Sequence, residues 1–78
     1  MANALDKTTE TALENGWRSY WIDDDCIIFE KTENGLDYLI QVTVTETLAF
    51  YNAQAWVRGQ KSFLQNYGSW AEVRKYLF

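Results

Sequence analysis

Cys26-Ile27-Ile28-Phe29-Glu30-Lys31-Thr32-Glu33-Asn34-Gly35-Leu36-Asp37-Tyr38-Leu39-Ile40-Gln41-Val42-Thr43-Val44 is the stretch that decides the fold. Two runs rich in β-branched and aromatic residues flank Asn34-Gly35. A type I′ turn needs positive φ at both central positions, which Asn and Gly tolerate best. A two-residue loop fixes the register. Glu33 faces Leu36, Lys31 faces Tyr38, Phe29 faces Ile40 and Ile27 faces Val42. Directly opposed residues share a face of the sheet. Ile27, Phe29, Tyr38, Ile40, Val42 and Val44 therefore form one apolar face. Cys26, Ile28, Glu30, Leu39, Gln41, Thr43 and Thr45 form the other. A slip of one residue would set Ile27 and Phe29 against polar positions, so the turn and the alternation specify one pairing.

On the N-terminal side, Asp23-Asp24-Asp25 breaks the chain, because three adjacent carboxylates repel in a ladder and aspartate favours turns. Before them, Trp17-Arg18-Ser19-Tyr20-Trp21-Ile22 has strand composition. Earlier still, Leu5, Thr9, Ala12 and Leu13 fall near one side at helical spacing, which predicts a helix from Leu5 to Asn15. Asn3 or Asp6 is placed to cap it, and Asn15-Gly16 to stop it.

On the C-terminal side, residues 48–58 admit two readings. As a strand, Tyr51, Ala53, Ala55 and Val57 share one face, with Phe50, Asn52, Gln54 and Trp56 on the other. As a helix, Leu48, Tyr51 and Ala55 align. The alternation and the turn-like Arg58-Gly59-Gln60 favour the strand. A short extended piece, Ser62-Phe63-Leu64, is expected next. Ser69 and Glu72 have capping-box spacing, and Trp70, Val73 and Leu77 line a closing helix, with Arg74 and Lys75 toward its C-terminal end. The predicted class is α+β: an N-terminal helix, an antiparallel sheet of three to four strands around the Asn34-Gly35 hairpin, and a C-terminal helix.

Seventy-eight residues fit one small domain, and 47% apolar content is enough to form a core. The net charge of −4 is uneven. Residues 1–46 carry ten acidic and three basic side chains, and residues 47–78 carry one acidic and four basic ones. A uniform basic footprint for nucleic acid is missing. Cys26 is the single cysteine, so neither an intrachain disulfide nor a thiolate metal cluster can form. No basic stretch followed by an apolar run opens the chain, and the run Cys26–Phe29 falls far short of the ~20 residues that span a bilayer. A cytoplasmic location without membrane association is expected.

Histidine is absent, which removes the commonest general base and metal ligand. No catalytic role and no cofactor are expected. Asp23-Asp24-Asp25 lacks the alternate spacing, glycine and distal glutamate of a calcium loop, and reads as a solvated turn. Cys26, beside aspartates that disfavour the thiolate, reads as structural filler.

Aromatic residues make up 17% of the chain, more than a core this small needs. Trp, Tyr and Arg are enriched at the centres of protein interfaces. If both helices cover the Ile27/Ile40/Val42 face, the opposite face is expected to show Ile28, Leu39, Phe50 and Trp56. The leading expectation is thus a non-catalytic domain binding a larger protein or complex, with Trp21, Asp23, Asp24, Asp25, Glu33, Asp37, Phe50, Trp56 and Arg58 as candidate contact residues. Size, acidity and lack of chemistry are compatible with phage-type inhibitors of host defence, anti-CRISPR proteins included. This is an analogy of scale and charge that no motif carries. A DNA-mimic form would use Asp23, Asp24, Asp25, Glu30, Glu33 and Asp37 as phosphate surrogates. Two alternatives stand beside it: self-assembly into a homodimer through a strand edge, and nucleic-acid binding through Arg58, Lys61, Arg74 and Lys75 with Trp56, Tyr67 and Tyr76 as stacking surfaces.

Overall fold

The computed structural model describes residues 3–58 and 65–78. The elements are α1 (Ala4–Glu14), β1 (Arg18–Asp23), β2 (Cys26–Glu33), β3 (Leu36–Val44), β4 (Phe50–Arg58), β5 (Gln65–Tyr67) and α2 (Trp70–Tyr76). The strands form an antiparallel meander in the order β1-β2-β3-β4-β5. Four are long, and the fifth, at three residues, is an addition to the expected sheet. The expected extended piece Ser62-Phe63-Leu64 lies outside the described residues.

The hairpin forms in the register that its turn dictates. Glu33 pairs with Leu36, Phe29 with Ile40 and Ile27 with Val42. Asn34 and Gly35 take φ of 54° and 78°, the positive values a type I′ turn requires. Residues 50–58 are a strand. Ala53, Ala55 and Val57 lie opposite Val42, Ile40 and Tyr38 and are buried.

The face assignment within β4 needs one correction. Thr43 pairs with Asn52 but Val44 pairs with Phe50, so Tyr51 is an extra residue in a bulge. The bulge reverses the alternation at that point. Phe50 turns to the core face and meets Trp70 edge-on, 5.6 Å between ring centroids, while Tyr51 is exposed.

Each helix end has an identifiable stop. Asn3 Oδ1 accepts the Asp6 N–H at 2.8 Å and caps α1. At the other end Trp17 N–H donates to Ala12 O (2.8 Å) and Gly16 N–H to Leu13 O (3.1 Å), with Gly16 at φ +84°. This is a Schellman closure, and it brings Trp17 back against Ala12, both buried. The buried side of α1 is Leu5, Thr8 and Ala12. The expected stripe was partly wrong, since Leu13 is exposed and Thr8 replaces Thr9. Thr8 lies three residues after Leu5 and four before Ala12, which is true helical spacing, whereas Leu13 rotates off that line.

For α2, Ser69 Oγ accepts the Glu72 N–H at 3.2 Å, and Glu72 Oε2 reaches back to the Gly68 N–H at 3.2 Å. Thr8 joins the helices: its hydroxyl donates to Ala4 O (2.7 Å) and accepts from Arg74 Nη1 (3.0 Å).

Both helices cover the same face of the sheet. One core holds Leu5, Ala12 and Trp17 with Trp70, Val73 and Leu77, against Ile27, Phe29, Ile40 and Val42. Trp17 Nε1 donates to the main-chain oxygen of Phe78 at 2.8 Å, as does Lys31 Nζ, which also sits over the Phe78 ring.

Candidate functional site

With the helices on one side, the opposite sheet face was expected to present Ile28, Leu39, Phe50 and Trp56. That patch does not form as drawn. Ile28 and Leu39 are buried, and Phe50 faces the core. In register, Tyr20 and Gln41 flank Ile28, and Glu30 lies beside Leu39 on the same face. The side chains of Trp56 and Arg58 lie outside the described residues, although their backbones pair with Leu39 and Asp37.

Exposure concentrates instead on β1, whose six residues are all exposed. Tyr20, Trp21 and Ile22 keep 41%, 45% and 57% of their surface in contact with solvent. They are consecutive, and they form the outermost strand of the sheet. Among the described residues β1 pairs only with β2.

The hydrogen-bond phase shows which backbone groups this edge offers. Bonded pairs alternate along an antiparallel ladder. Val44 N–H donates to Asp25 O at 2.8 Å, and Glu33 closes the turn with Leu36. Odd-numbered residues of β2 therefore direct their backbone groups to β3. Ile28 and Glu30 direct theirs to β1, where Tyr20 and Arg18 stand opposite. The backbone N–H and C=O of Ser19 and Trp21 are thus turned outward, away from the sheet. An edge of this kind is a template for another strand.

β1 also carries an irregularity. Trp21 pairs with Ile27, and the next pair is Asp23 with Cys26, so Ile22 is the extra residue. Asp23 is brought by this bulge onto the face shared by Arg18 and Tyr20. Asp23 Oδ1 accepts the Asp24 N–H at 2.8 Å and tightens the turn. At the other end of the strand Arg18 pairs with Glu30 at 2.5 Å, while its own side chain remains 75% exposed.

The acidic candidates fall into two groups. Asp23, Asp24 and Asp25 gather at one end of the β1 edge, close in sequence to Trp21. Glu33 and Asp37 sit at the hairpin end, about 23 Å away along β2. There Asp37 accepts a bond from the Thr32 hydroxyl (2.6 Å) and Glu33 lies 3.9 Å from Lys31. Glu30 is engaged by Arg18. Of the basic set, Arg74 is tied to Thr8, and Tyr76 packs against Trp17 at 6.2 Å. Lys61 lies outside the described residues.

Among the described residues, no three His, Cys, Asp or Glu side chains are grouped to hold a metal ion. Cys26 is buried on the face away from the helices. Burial raises its thiol pKa above the ordinary value, the carboxylates of Asp25 and Asp23 add to the rise, and a hydrogen bond with Gln41 opposes them. Tyr76 is also raised, by burial and then by Tyr38. No described helix is long and apolar enough to cross a membrane.

The open edge had only a faint trace in the sequence. Trp21 was legible as a surplus aromatic, and the aspartates as a turn. That β1 is the outermost strand follows from the order of the meander, in which β4 and β5 add beyond β3 and not beside β1, a choice that no local pattern encodes. No protein family, curated protein or solved structure matches this chain.

Proposed function

We propose that the protein is a non-catalytic binding domain that engages a protein partner through the open edge of β1. The observation that carries this reading is the coincidence of outward backbone groups at Ser19 and Trp21 with three consecutive exposed apolar side chains, Tyr20, Trp21 and Ile22. Main-chain bonds supply affinity in strand addition, and alternate side chains supply specificity. Aromatic residues with a polar handle supply large contact area. A thiol held protonated and the lack of histidine favour binding over chemistry.

The test is a pull-down from cell lysate, with and without nuclease, comparing wild type with Trp21→Pro. Proline removes the outward N–H of Trp21, which serves no bond within the sheet, so an edge strand can accept it. A retained protein that survives nuclease and is lost with Trp21→Pro supports the reading. Equal retention by both proteins, or loss of everything on nuclease treatment, contradicts it.

A further inference from the structure

We infer that the partner of the β1 edge is a second copy of this chain, paired antiparallel through β1 about a two-fold axis normal to the sheet. This rests on the reading of β1 as the binding edge and specifies what it takes.

Three constraints on such a pairing can be read from the strand. An axis normal to the sheet keeps the faces in common, so opposed residues must share a face. The bonded pairs must be those with outward N–H and C=O, namely Ser19 and Trp21. The pairing must also avoid Trp17, which is buried under the α1 closure. Centring the axis on Tyr20 satisfies all three. Ser19 then bonds reciprocally with Trp21 of the second copy, and Tyr20 meets Tyr20 on the axis. Two such reciprocal pairs give about four main-chain hydrogen bonds.

The charges decide the case. Because Ile22 is bulged, Asp23 occupies the next regular position after Trp21 and lies on the same face as Arg18. In the Tyr20-centred register Arg18 of one copy therefore stands opposite Asp23 of the other, and the symmetry makes this pair twice. A strand without the bulge would set Arg18 against Ile22. The guanidinium offers donors beyond the one that Glu30 uses, and its side chain is 75% exposed. β1 is thus self-complementary: basic at one end, acidic at the other, aromatic in the middle. An isologous interface requires that property.

The same axis keeps all helices on one side of a ten-stranded sheet and brings the two α1 helices alongside each other. α1 carries Leu13, which is 76% exposed in the single chain. The contact is small by the standard of permanent dimers, and weak association is expected, over about 10–1,000 µM protein.

Sedimentation equilibrium across that range tests the proposal, with folding of each variant checked by circular dichroism. Wild type should pass from monomer to dimer, and Trp21→Pro should remain monomeric. Arg18→Asp and Asp23→Arg should each raise the dissociation constant about tenfold or more, because each homodimer would oppose like charges twice. Mixed together, the two variants should associate again, since every cross-pair becomes Asp with Arg. Independently of any variant, the amide resonances of Ser19 and Trp21 should move with concentration more than those of Arg18 and Tyr20. Wild type that stays monomeric at about 1,000 µM overturns the second-copy proposal. A dimer whose charge-swapped pair fails to reassociate overturns the register. If wild type is monomeric but the lysate partner still depends on Trp21, the edge reading stands alone. If neither depends on β1, both fall.

Discussion

β1 and β2 are neighbours in the sheet with similar vocabularies. Arg18-Ser19-Tyr20-Trp21-Ile22-Asp23 and Cys26-Ile27-Ile28-Phe29 both mix aromatic and β-branched residues with few breaks. Yet Cys26 through Phe29 are all buried, and no residue of β1 is. The difference is position. β2 has a strand on each side and two helices over one face, whereas β1 has a strand on one side only. Apolar side chains on β2 stabilise the fold, and those on β1 remain exposed to solvent.

The largest effect that can break this contrast is deletion of a core ring. Phe29→Ala should cost about 3–5 kcal/mol, from a total of about 4–12 kcal/mol for a domain of this length. Urea denaturation would measure it, and a loss below ~1 kcal/mol would contradict the core assignment. Thr8→Val should cost about 1–3 kcal/mol, because it leaves the Arg74 guanidinium without its buried acceptor. Gly35→Ala should cost about 1 kcal/mol. Nothing lies within 4 Å of an added Cβ, so the cost comes from the positive φ alone.

A smaller, pH-dependent effect belongs to Cys26. Its folded pKa is raised above the value of 9.0 ordinary for a thiol. A raised acid contributes stability that is complete below the unfolded pKa and is lost as pH rises through the folded one. Stability should therefore decline above about pH 9, and less so in Cys26→Ala. Thermal melts at pH 7 and pH 10 would show it, and identical pH slopes for the two proteins would contradict it. The smallest change is expected on β1: Trp21→Ala should alter the stability of the dilute protein by no more than about 0.5 kcal/mol, while removing binding at the edge.

How far the sequence carried each region follows the same contrast. Asn34-Gly35 encodes its pairing locally, and the whole β2–β3 register is recoverable from two turn residues and an alternation. The Ser69…Glu72 box is local as well. The bulge at Tyr51 was not legible, because one extra residue reverses a face without changing composition, and Phe50 was assigned to the wrong side for that reason. The bulge at Ile22 escaped likewise, and with it the shared face of Arg18 and Asp23. Which face the helices cover is a tertiary choice. It depends on Trp17 being drawn back by the Gly16 closure and on Trp70 meeting Phe50, contacts between distant parts of the chain. The candidate site inherits that limit: its residues could be named, but not the edge that gathers them.

The most direct test of the open edge is amide hydrogen exchange in dilute solution, followed residue by residue by NMR. In the single chain, the N–H groups of Arg18 and Tyr20 should be protected by β2, and those of Ser19 and Trp21 should exchange close to the rate of an unstructured chain. Protection of Ser19 and Trp21 equal to that of Tyr20 at the lowest concentration would mean that the edge is already covered, and would contradict the account.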